Sequence, residues 1–146
     1  MNASWGCWLM MRLFISIILE GETIRMQNVK EEVKKYVEEM MAAASCSKEA
    51  KAAGEKWLAL ADHDDIKAET RALIKELEGD IMPIDGLIAF VDSPAGAQVF
   101  GKDGVKKMSA HAHELKDNGA GFCDCGACAA VAKILARKDE LLAAMA

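Results

Sequence analysis

The chain has no stretch in which Lys and Arg cluster with interleaved aromatic side chains; aromatics make up only 5% of it, and its net charge is −5. Nucleic acids are gripped through cation-rich patches that neutralise phosphates, so no nucleic-acid partner is expected. Long hydrophobic runs are also missing. The most apolar segment, Leu13-Phe14-Ile15-Ser16-Ile17-Ile18-Leu19, falls far short of the ~20 residues a spanning helix needs, and no membrane role is expected. Only Arg12 places positive charge before that run and no small-x-small cleavage site follows it, which argues against a secretory signal. There is no period-two alternation of apolar residues, and so no signal for strands. A Gly-rich phosphate loop after a strand, G-x-S-x-G and H-E-x-x-H are all absent. The carboxylate pairs Glu31/Glu32, Glu38/Glu39 and Glu76/Glu78 lie among lysines at helical spacing, the pattern of a solvated helix face. With no catalytic constellation, a binding role is expected ahead of an enzyme.

What is present is helical periodicity almost throughout. Val29, Val33, Tyr36, Val37, Met40, Met41 and Ala44 mark a first helix, which Ser45-Cys46-Ser47 breaks. Ser47 can cap a second helix, with Glu49 in its first turn and Ala50, Ala53, Trp57, Leu60 and Ala61 on its apolar face. After the polar turn Asp62-His63-Asp64-Asp65, Ile66, Thr70, Leu73, Ile74 and Leu77 predict a third helix ending at Gly79. Asp80 would cap a fourth helix with Ile84, Leu87, Ile88 and Val91 on its face. Ser93-Pro94 opens a short helical turn ending near Gly101, and Val105, Met108, Ala112 and Leu115 predict a further helix stopped by Asn118-Gly119. The last helix begins within the cysteine motif and carries Val131, Ile134, Leu135, Leu141, Leu142 and Met145. The expected fold is all-α, a compact bundle of six or seven short helices.

Two segments are expected, residues 1–25 as a non-native or disordered extension and 26–146 as a single helical domain. Glu20-Gly21-Glu22 can be encoded by a ribosome-binding sequence, and Met26 follows shortly and opens an amphipathic helix, so Met26 is the expected native start. This sets aside Trp5, Cys7 and Trp8.

The richest chemistry lies in Cys123-Asp124-Cys125-Gly126-Ala127-Cys128, where three thiols fall within six residues. Thiolate is a soft, strong ligand, and C-x-x-C lets two sulfurs grip one ion. Cys125 and Cys128 open a helix, where unpaired N–H groups and the dipole favour thiolate. So close a set does not suit a disulfide framework, and a reducing cytosol fits it better. The expected ligands are Cys125 and Cys128, with Cys123, Cys46 and His111 competing for the remaining positions. On a helix turning ~100° per residue, His111 lies roughly 80° from the centre of the Met108/Ala112 face and His113 about 120° away, so His111 is the better candidate. His63, among aspartates, is expected in solvent. Zinc is the expected cofactor. A dithiol redox centre using Cys125 and Cys128, and an iron–sulfur site using all four cysteines after Met26, are the alternatives.

The segments Asp80-Ile81-Met82-Pro83-Ile84-Asp85-Gly86-Leu87-Ile88-Ala89-Phe90, His111-Ala112-His113-Glu114-Leu115-Lys116 and Phe122-Cys123-Asp124-Cys125-Gly126-Ala127-Cys128 resemble a group of small bacterial cytosolic proteins with a C-D-C-x-x-C motif. Some of these carry a molecular-chaperone or heat-shock label. The resemblance implies a cytoplasmic protein and assigns no residue a catalytic role. The chain is too short for the ATP-binding domain of the large heat-shock chaperones, so their activity is not carried over. A binding or stress-related interaction with a protein partner is the expectation.

Overall fold

The computed structural model describes the backbone of residues 5–63 and 65–145, and the side chains of residues 20–63 and 65–145. Trp5, Cys7 and Trp8, the apolar run 13–19 and Asp64 therefore have no described side chains. Among the described residues seven helices follow in order: α1 (Trp5–Ala42), α2 (Lys48–Leu60), α3 (Ile66–Asp80), α4 (Ile84–Val91), α5 (Pro94–Asp117), α6 (Gly126–Ala136) and α7 (Lys138–Ala144). No strand forms among the described residues, so the fold is all-α. No helix there is long and apolar enough to cross a membrane.

Helix α1 runs unbroken through Met26, with residues 20–28 exposed and burial beginning at Val29. Its inner face is Val29, Val33, Val37 and Met40. Ala44 lies beyond the helix end and is exposed. Ser47 caps α2 by accepting the Ala50 N–H at 3.0 Å. Ser93 caps α5 with Pro94 in the first turn.

Three local expectations are corrected. Gly79 does not end α3; the helix continues to Asp80, and Ile81 turns the chain with φ −63° and ψ 126°. Ile81 is buried against the main core, and that burial anchors the exit. Asp80 does not cap α4, whose N-cap position is Pro83; its carboxylate instead accepts the Ser47 hydroxyl at 3.0 Å. The last apolar stripe is two helices broken at Arg137, which pairs with both Glu32 and Glu140. Gly101 is a kink inside α5 at φ 71°, a backbone region that glycine enters without a Cβ penalty.

The helices divide into two groups. Around α1, α2, α3, α6 and α7 lies the main core, with Trp57, Met40, Leu73, Leu77, Ile134 and Leu141 almost fully buried. Its one buried polar side chain among the described residues, Thr70, accepts from Trp57 Nε1 at 2.8 Å and donates to the Ile66 carbonyl at 2.9 Å, so both polar groups are satisfied. Helices α4 and α5 form a hairpin with its own small core of Ile84, Leu87, Val91 and Ala112. Among the described residues they pack on each other and on no other helix. Gly96 permits their close approach: a Cβ there would meet the Phe90 carbonyl and the Val91 backbone.

The hairpin is tied to the bundle through the segments that enter and leave it. Ile84 N–H donates to the Gly121 carbonyl at 3.0 Å and Cys123 N–H to the Met82 carbonyl at 2.9 Å, so Pro83 and Phe122 face each other in an isolated antiparallel bridge. The cysteine motif begins at this seam.

Candidate metal centre

The motif is placed by three elements. The extended rung at Met82 holds Cys123, the first turn of α6 holds Cys125 and Cys128, and the link from α1 to α2 closes over them. Cys125 occupies the N-cap position of α6, where its sulfur accepts the Cys128 N–H at 3.5 Å. Cys123 sulfur accepts the Cys125 N–H at 3.4 Å. The Met82 N–H points at Cys128 sulfur. Ser45 Oγ accepts the Ala127 N–H at 3.2 Å, and its hydroxyl reaches Cys125. Backbone donors thus face all three sulfurs. Thiolates need such donors, because a thiolate taken out of water loses its hydration.

The three sulfurs lie within 4.8 Å of one another. Tetrahedral zinc with bonds of ~2.3 Å to sulfur sets its ligands about 3.8 Å apart, so holding one ion requires a contraction of about 1 Å or less. Cys128 is buried, and Cys123 and Cys125 are half-buried.

Without an ion the three thiols do not share a proton affinity. Burial pushes Cys125 up, but the Ser45 hydroxyl, the Cys128 N–H and the two neighbouring thiols donate to it, and the net shift is downward. Burial raises Cys123, and the hydrogen bond its thiol donates to Cys125 adds to the shift. Cys128 is pushed up to about 12, first by burial and then by its neighbours Cys125 and Cys123, with the Met82 N–H opposing. Cys125 is therefore the thiol of the three whose proton is held least tightly, and an ion must displace the protons of its neighbours.

The other expected ligands stand outside the triad. Cys46 packs against the same core, but its thiol donates to the Ser47 carbonyl at 3.5 Å, and burial raises its pKa with Asp80 adding to the shift. The four-cysteine arrangement of the iron–sulfur alternative is not assembled. His111 reaches the motif through Asp124, its Nε2 lying 2.8 and 3.0 Å from the two carboxylate oxygens. His113 turns the other way, to Asp92 at 3.0 Å. The Ser109 hydroxyl donates to the same carboxylate, and Ser109 and then His113 hold Asp92 below the usual carboxylate range. Serine here addresses the carboxylate and not the imidazole, so this is no nucleophile–base pair. His63 is exposed.

Sequence reasoning missed two contributors. Ser45 was legible only as part of a helix break, although serine flanking a cysteine is a hydroxyl within reach of sulfur. The Met82 backbone carried no signal, because its role depends on a rung formed between segments about forty residues apart. No protein-family model, no curated protein and no solved structure matches the chain.

Proposed function

We propose that this is a small cytosolic zinc protein whose Cys123, Cys125 and Cys128 hold one ion as a structural or regulatory staple. Its role would be binding, including stress-related interaction with a protein partner, and not catalysis. The observation that carries the reading is the convergence of three thiols, each faced by a backbone N–H, at the seam between the main bundle and the α4–α5 hairpin. Cys123 is the residue packed against both cores, so an ion bound there would join them. The bacterial proteins with the C-D-C-x-x-C motif support a cytosolic setting, where thiols stay reduced.

Elemental analysis of anaerobically purified protein tests the proposal. The expected content is about one zinc per chain, lost on combined Cys125→Ser and Cys128→Ser substitution. Metal content unchanged in the double variant would reject these ligands. A second reading, a dithiol redox centre, is favoured by one observation: Cys125 is held below the ordinary thiol range by donors that include Cys128. Metal-free protein with fast, selective alkylation at Cys125 would favour that reading, since a zinc-closed site shields its sulfurs.

A further inference from the structure

Zinc takes four ligands; the triad supplies three, and the other donors near it are engaged elsewhere. Cys46 directs its thiol to the Ser47 carbonyl, and its charged neighbours are Asp80 and Lys51. His111 and Asp124 hold each other through both carboxylate oxygens. Ser45 Oγ is committed to the Ala127 N–H and to Cys125. The three sulfurs themselves are alike in their setting. All lie within 4.8 Å of one another, and each is faced by a backbone N–H: that of Cys125 at Cys123, that of Cys128 at Cys125 and that of Met82 at Cys128. Such a set is one ligand short for a tetrahedral ion and complete for an ion that takes three sulfurs and no more.

We propose that Cys123, Cys125 and Cys128 form a three-coordinate site for a thiophilic ion of that class, trivalent arsenic being its type case. This rests on the reading above that the three thiols hold one ion, and it narrows which ion suits them. Trivalent arsenic forms three bonds, keeps a lone pair in place of a fourth, and is soft enough to prefer sulfur to oxygen. Arsenous acid brings three hydroxyl groups. As each As–S bond forms, one As–O bond breaks, and the thiol proton leaves with the hydroxyl as water. Three waters depart, and nothing is oxidised or reduced. The three bonds tie Cys123, which packs against both cores, to the first turn of α6.

Arsenite added anaerobically to the reduced full-length chain, with EDTA to draw off zinc, tests the idea. Intact-mass spectrometry and alkylation mapping are the readouts. The expected result is one arsenic per chain, with Cys123, Cys125 and Cys128 shielded from iodoacetamide and Cys46 still alkylated. Each of Cys123→Ser, Cys125→Ser and Cys128→Ser should weaken arsenite binding by about a hundredfold, because the third arm's effective concentration is lost. The same variants should still bind phenylarsine oxide, which needs only two thiols. Cys46→Ser and His111→Ala should bind arsenite as the parent does. Shielding of Cys46, weaker binding in Cys46→Ser or His111→Ala, or arsenite held equally well by any single triad variant would overturn the three-coordinate site. One zinc per chain in the purified protein with no arsenite uptake would overturn it too, and would leave the metal reading standing. If neither ion binds, the metal reading falls and this proposal with it.

Discussion

The main bundle and the α4–α5 hairpin follow the same local rule and arrive at different cores. In the bundle, five helices surround Trp57, Met40, Leu73, Leu77 and Ile134, all almost fully buried. In the hairpin, among the described residues, two helices pack on each other alone, and the core shrinks to Ile84, Leu87, Val91 and Ala112. Phe90 and Phe100 meet edge to face at 6.3 Å yet stay partly in solvent, and Val99 is 66% exposed. An amphipathic helix gains only from the faces that other elements cover. A helix pair without a third layer therefore depends on its connections, and here those connections carry the cysteine motif.

The largest expected effect breaks the comparison by removing the ion. Chelation should lower hydrogen-exchange protection in residues 84–91, 104–117 and 119–130 by tenfold or more on an order-of-magnitude basis, while the faces of α1, α2 and α3 keep theirs. Acid should act in the same direction. The free site keeps its proton on Cys128 up to about 12 and holds Cys123 above the ordinary thiol range, so metal affinity rises with pH and falls as protons compete for sulfur. Equal loss of protection in both regions, or none in residues 119–130, would show that the cysteines are not a staple between two cores.

Next in size is a matched pair of truncations. Leu73→Ala removes a nearly fully buried side chain from the bundle and should cost about 2–5 kcal/mol of global stability by denaturant melting. Leu87→Ala removes the same atoms from the hairpin and should cost roughly half as much or less in the global transition, showing instead as local opening of residues 84–117. If the two midpoints fall equally, the hairpin is an integral part of one cooperative core.

The smallest effect separates the two histidines. His111 bridges α5 to the motif through Asp124, whereas His113 pairs with Asp92 inside the hairpin. Both pairs are half-exposed and correspondingly weak. His111→Ala should reduce exchange protection of residues 120–126 by about two- to fivefold, and His113→Ala should leave it unchanged. Identical profiles would remove His111–Asp124 from the ties across the seam.

Most helices were legible because their signals are local. Val33, Val37 and Met40 share a face by spacing alone, and Ser47 and Ser93 announce helix starts through a hydroxyl that can accept an N–H two or three residues on. The errors came where tertiary burial outweighed a local cue. Gly79 looks like a helix stop, but Ile81 must reach the main core, and the helix runs on to place it there. The break at Arg137 interrupts a continuous apolar stripe, and the arginine's partners, Glu32 and Glu140, include one more than a hundred residues away. Of the expected ligands, the three in one short motif converge. Cys46 and His111 come near it and turn to other partners.

The sequence by itself determined an all-α chain, most of its helix boundaries and a thiol-rich helix start, since all of these follow from spacing and from the chemistry of residues within a few positions of one another. The tertiary structure alone decided that the helices form two groups, that Cys123 sits where their cores meet, and that Ser45 and the Met82 backbone serve the sulfurs. Those features depend on contacts between segments tens of residues apart. Such contacts are set by which apolar faces can be covered together, and no local pattern records that choice.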